Sequence, residues 1–278
     1  MKRRNARRVI TLEGLELKGV HELGAPYVVE PPIGWAELED VVRSAPPSAV
    51  VLLDPYAGRQ PGEAFPRLRE LLRRYPSLTV VAGIELSADT LADVKTLLEW
   101  GVSEVIDTGG ESTPRGVHAR LRQAHARPLK RRLEQALSSF VGSEARNLLM
   151  GAAEVAVEGG GAPDLARALA VAPRTLTERC ARADLPPPRQ VQAWMRILLA
   201  CMLLDDPGRT VYAAAWACGY STDRSLRRAV SAFVGADSTT LRAGGAFEQA
   251  ARAFNNVLRE TREESRVRRR AERQNGRA

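Results

Sequence analysis

Residues 210–242, TVYAAAWACGYSTDRSLRRAVSAFVGADSTTLR, constrain the chain most. Residues 211–218 are apolar and alanine-rich, which suits a short buried helix. Gly219-Tyr220 interrupts it, and glycine is the residue that tolerates a left-handed turn. Ser221 or Thr222 can then cap a second helix, with Asp223 in its first turn, where the helix dipole favours an acid. Leu226, Val230 and Phe233 recur at helical spacing as a buried stripe, and Arg224, Arg227 and Arg228 fall on other faces. An apolar back, a glycine turn before it and arginines in its first two turns give this helix the form that lies in a DNA major groove.

The charge changes sign along the chain. Residues 31–110 hold 7 basic and 12 acidic side chains, whereas residues 111–278 hold 28 and 17. Only the back portion therefore suits a polyanion. With 278 residues, 44% of them apolar, there is material for two separate cores. Cys180, Cys201 and Cys218 are widely spaced in apolar helical patterns and are expected to be buried free thiols. The three histidines make no metal-ligand spacing with them. No apolar run approaches the roughly 18–20 residues of a membrane span, and the basic start lacks the apolar core of a signal peptide. The expectation is a cytoplasmic, nucleoid-associated protein with no cofactor, no metal and no membrane partner.

From residue 25 to 108 apolar runs alternate with amphipathic stretches. Strands are expected at 25–30, 49–54, 78–83 and 103–107, and helices at 35–44, 64–75 and 88–100. This pattern predicts an α/β domain over 25–112 with a parallel, flavodoxin-like sheet, incomplete as read. A site in such a sheet lies at the carboxyl ends of the strands, where Glu30, Asp54, Gly83, Glu85 and Asp107 stand. Residues 1–24 read as a basic arm and lead-in, a solvated tail or an arm on DNA phosphates. Residues 113–158 read as a helical linker divided near Pro128. An all-α domain follows over 159–245, and 246–278 is a helix with a basic tail, disordered from about residue 257.

AVVLLDPY, LTVVAG and EWGVSEVID resemble the latter part of a response-regulator receiver domain, and the resemblance implies a phosphoacceptor at Asp54. Receivers carry a pair of acids after the first strand to hold Mg²⁺, a Thr or Ser where Ala82-Gly83 stand here, and a Lys where Asp107-Thr108 stand. Glu30 is the only acid this reading offers for the pair. Phosphoryl transfer needs such cations to offset charge. A receiver-like scaffold without phosphotransfer is therefore expected, for sensing or dimerisation, with a regulator phosphorylated on Asp54 as the alternative.

The back portion repeats the helix–turn–helix idea. Leu165–Leu169 forms a short helix, Ala170–Ala172 a turn, and Pro173 starts a second helix through Arg182. A linking helix of about 16 residues, roughly 24 Å long, precedes the turn at DDPGR. Such a helix could hold two recognition helices roughly 34 Å apart, one turn of DNA. The signals LARALAVAPRTL, WMRILLA with Arg196, DDPGRTV and GYSTDRSLRRAVSAFVG resemble the double helix-turn-helix domain of AraC-type transcription regulators over residues 163–242. The resemblance implies DNA contacts from Arg174, Thr177 and Glu178 in the first unit. In the second it implies Asp223, Arg224, Arg227 and Arg228, with Ser221 and Thr222 on a phosphate. Ala170 stands where that family often has glycine, at a cost on the order of 1 kcal/mol in a left-handed turn. Glu178 stands where it usually has arginine, so the second unit is expected to dominate. The expected partners are double-stranded DNA, RNA polymerase and a second copy of the chain. No catalytic constellation stands out, so no enzymatic activity is expected; a nonspecific nucleoid-binding or protein-interaction module is the further alternative.

Overall fold

The front part forms five strands, β1 (Arg7–Thr11), β2 (Tyr27–Val29), β3 (Val50–Leu53), β4 (Thr79–Ile84) and β5 (Glu104–Asp107), the most apolar of them at the runs around residues 50 and 80. They form one sheet in the order β2-β1-β3-β4-β5, with every pairing parallel. β3 and β4 are buried along their whole length, as strands covered on both faces must be. This computed structural model describes residues 6–57, 64–110 and 113–275. The chain divides into two units: residues 1–128 with Asp205–Ala213, and Leu129–Leu204 with residues 214–278.

In the first unit, α1 (Trp35–Ser44), α2 (Ala64–Arg74) and α3 (Leu91–Trp100) cover one face of the sheet, through Leu38, Val42, Leu68, Leu72 and Leu97. Gly101, at φ 118°, ends α3 in the left-handed region. A 3-10 turn at Lys18–Val20 and α4 (Pro114–Ala124) cover the other face, where Val20, Val117 and Leu121 meet Val9, Leu52, Val81 and Ile106. The strand order reverses between β1 and β3, so this is a flavodoxin-like α/β fold with its switch point there. His125, just past α4, stacks on Tyr27 at 6.0 Å. Burial first, then the nearby charge of Arg7, pushes its imidazole down to about 3.

The sequence predicts four strands; the fifth is β1, which completes the sheet. Its apolar run, Val9, Ile10 and Leu12, is short and follows directly on arginines, so it passes for lead-in. Arg7 and Arg8 are therefore not a free arm: they begin an inner strand, and Arg8 pairs with Glu30. Lys2, Arg3 and Arg4 lie outside the described residues.

The second unit is helical throughout. α5 (Arg127–Ala136) carries Pro128 in its first turn, where a missing N–H costs nothing, and α6 (Ser143–Val157) follows. Then come α7 (Ala162–Ala168), α8 (Pro173–Arg182), α9 (Pro188–Asp205), α10 (Val211–Ala217), α11 (Asp223–Val234), α12 (Ser238–Ala243) and α13 (Ala246–Asn275). The stretch expected as a linker is thus shared out: α4 covers the sheet, while the chain from Leu129 belongs to the helical unit.

The expected disorder beyond residue 257 is corrected: α13 is helical for 30 residues. Its partners are non-local and invisible to composition. Asn255 donates to the Ala136 carbonyl at 2.9 Å and accepts from the Ser138 amide at 3.0 Å. Arg262 lies 5.5 Å over the Phe140 ring, and Arg269 pairs with Asp184 at 2.8 Å. The three cysteines are buried and form no disulfide with one another, and burial pushes the Cys180 thiol up to about 11. Among the described residues no helix is long and apolar enough to cross a membrane.

Candidate nucleic-acid interface

The second helix pair is α10 and α11. Gly219, at φ 75°, makes the left-handed turn, and the Tyr220 amide closes it on the Ala215 carbonyl at 2.9 Å. Thr222 caps α11: its hydroxyl accepts from the Ser225 amide at 3.0 Å, and the Ser225 hydroxyl oxygen in turn accepts from the Thr222 amide at 3.2 Å. Leu226 and Val230 are fully buried and fix the back of the helix. That leaves Ser221, Thr222, Asp223, Arg224, Arg227 and Arg228 exposed at its amino-terminal end and outer face.

The three arginines are not equivalent. Arg227 reaches Asp223 one turn back, at 3.8 Å. Arg224 and Arg228, one turn apart, have side chains without a hydrogen bond or ion pair among the described residues. Two uncommitted guanidinium groups four residues apart on one outer face can each present a two-pronged donor to O6 and N7 of a guanine.

The first pair is α7 and α8. Ala170 sits at φ 52°, the left-handed region that favours glycine. The turn still closes, with the Val171 amide on the Ala166 carbonyl at 3.0 Å. Ala172 is the cap residue of α8 and supplies no side-chain bond, while Pro173 supplies the fixed dihedral of a helix start. Leu176 and Cys180 are buried, and Arg174, Thr177 and Glu178 are exposed. Glu178 accepts from Arg174 at 3.0 Å, and the Thr177 hydroxyl donates to the Pro173 carbonyl at 3.1 Å. All three candidate side chains of this pair are thus engaged locally.

α9 joins the pairs and is 18 residues long, starting two residues earlier than the sequence predicts because Pro188 serves as its first residue. Trp194 meets Phe233 of α11 edge-on at 4.9 Å and Phe254 of α13 at 5.2 Å. Arg196 is half-buried, and its Nε has no hydrogen-bond partner among the described residues.

In the α/β unit, Asp54, Gly83 and Glu85 come together at the carboxyl ends of β3 and β4. With Leu15, Glu16, Tyr56 and Thr108 they line a cleft of about 620 Å³. A second hollow of about 640 Å³ continues it past Glu16 and Glu85 to Lys18 and His21. The Asp54 carboxylate accepts from the Tyr56 amide at 2.7 Å. Glu30 is not in the cleft, being paired with Arg8, and Asp107 accepts from the Leu86 and Gly109 amides at 3.2 and 3.1 Å. The sequence reading missed Leu15 and Glu16, because the apolar run that would have marked the strand before them stood inside the basic lead-in.

No curated protein and no solved structure matches this chain. Residues 165–244, from the middle of α7 to just past α12, match the family described as Helix-turn-helix domain, and the back part of the chain accordingly carries a helix-turn-helix domain.

Proposed function

We propose that this chain is a sequence-specific DNA-binding transcription regulator and not an enzyme, in which α8 and α11 read adjacent major grooves. The observation that carries the reading is α11 inside the helix-turn-helix match. It has a buried back, a capped start, and Arg224 and Arg228 exposed without an acidic partner among the described residues. Arg227 and Asp223 would act as a pair, the acid orienting the guanidinium or accepting from a cytosine amino group. Thr222 and Ser221 stand where a phosphate contact at the helix start would fall. RNA polymerase and a second copy of the chain are the further partners such a regulator calls for.

The α/β unit would sense or dimerise without phosphotransfer. Glu16, which follows β1, shares the cleft with Asp54 and stands where one of a receiver's metal-holding acids would; what supports a unit without phosphotransfer is that Ala82-Gly83 and Asp107-Thr108 replace the hydroxyl and the lysine that offset phosphoryl charge. Incubation with a small phosphodonor and Mg²⁺ should leave the intact mass unchanged; a phosphoryl adduct on Asp54 would favour the phosphorelay reading. For DNA, selection from a random duplex pool should recover two half-sites about one helical repeat apart. Steep salt dependence with no recovered motif would instead mark a nonspecific binder.

A further inference from the structure

The segment Asp205–Ala213 joins α9 to α10 in sequence, yet it belongs with residues 1–128 to the α/β unit. DDPGR reads as a turn, and an exposed turn would leave its charges in water. Here Asp206 is 3% exposed and Arg209 6%. The Asp206 carboxylate accepts from the Ser77 amide at 3.2 Å and from the Ser77 hydroxyl. Arg209 donates to the Ala45 carbonyl at the end of α1, and stands 3.5 Å from Asp206. Between them Gly208, at φ 75°, lies so close to Arg43 that an added Cβ would stand 2.9 Å from its Cγ.

Burying an acid and a base costs several kcal/mol per ion unless each is paired and hydrogen-bonded. Joining two helices needs neither charge. The arrangement meets the condition for burial at both ends: two donors from Ser77, a carbonyl from Ala45, and the ion pair between. Burial raises the Asp206 carboxyl above its ordinary range, and the Ser77 and Arg209 contacts oppose that rise. A segment held this way has few alternative conformations.

We propose that Ser77, Asp206 and Arg209 are positioning residues for DNA recognition. By holding the joint after α9, the α/β unit fixes where α10 starts, and hence the setting of α11 with respect to α8. This rests on the reading of α8 and α11 as two DNA readers. Two readers on a stiff joint assist one another through a high effective concentration, which a loosened joint lowers.

The test uses the full chain with Ser77→Ala and Asp206→Ala. Affinity is measured for a duplex carrying both selected half-sites and for one carrying a single half-site, with amide exchange followed over 205–213. Asp206→Ala should lose about tenfold on the double site and less than about twofold on the single site, with faster exchange in the segment. Ser77→Ala, which removes one hydrogen bond and no charge, should show the same pattern at about threefold. It decides the matter if Asp206→Ala does not fold. Unchanged or tighter binding to the double site, or an equal loss on both duplexes, overturns the proposal. If the parent itself shows no preference for the double site, the two-reader reading fails, and the proposal with it.

Discussion

The two helix pairs solve the same local problem with unequal means. α10–α11 has glycine at its left-handed turn, a reciprocal Thr222–Ser225 cap, and two outer-face arginines, Arg224 and Arg228, whose side chains have no partner among the described residues. α7–α8 has alanine at the turn, alanine at the cap, and an arginine already occupied by Glu178. Both bury a two-residue stripe, Leu226 and Val230 in one and Leu176 and Cys180 in the other. The packing requirement is therefore shared, while the features that stabilise the turn and leave charge available are concentrated in the second pair. The difference teaches that a helix-turn-helix shape and a reading surface are separate properties of a sequence.

The sharpest way to break this comparison is to exchange arginines for alanine. Arg228→Ala or Arg224→Ala should weaken binding to the selected duplex by about tenfold to a hundredfold, and each should relax preference at one base pair. Arg174→Ala should cost less than about threefold, because that group is already paired. Fluorescence anisotropy on matched and mismatched duplexes measures both, and an equal loss from the two pairs would remove the asymmetry.

Next come the turns. Gly219→Ala should lower stability by about 1 kcal/mol, the cost of a left-handed alanine, since an added Cβ there meets nothing within 4 Å. Ala170→Gly should raise it by about the same amount. Chemical denaturation of the full chain gives both values, and opposite signs are the expected outcome. The caps follow: Thr222→Ala should cost about 1 kcal/mol, and Ala172→Ser should gain somewhat less, read in the same way. The smallest effect is on charge. Glu178→Gln should free Arg174 and tighten DNA binding about threefold, with a steeper salt slope as one more cation becomes available for a phosphate.

What could be seen in the sequence was local. The glycine turn, the threonine cap and the apolar stripe of α11 each need only residues within one or two turns. The helix limits of α1 fall at Trp35–Ser44 as the periodicity predicts. What escaped depended on distant partners. β1 was hidden because its strand character comes from lying between β2 and β3, not from length or composition. The order of α13 beyond residue 257 comes from Phe140, Asp184 and the α5–α6 turn, none of them near in sequence. Asp206 and Arg209 looked like turn charges because Ser77 and Ala45 stand far away along the chain. In the cleft, Asp54 was legible as the acid ending an apolar run, whereas Glu16 needed β1 to be known first.

The place of Trp194 has an optical consequence. Its indole is wedged against an aromatic ring from α11 and another from α13, so one natural chromophore forms the common wall of three helices. Any rearrangement that slides α11, or unseats α13, must change the surroundings of that ring. The protein therefore carries its own emission reporter at the hub of the helical unit, one that needs no attached dye.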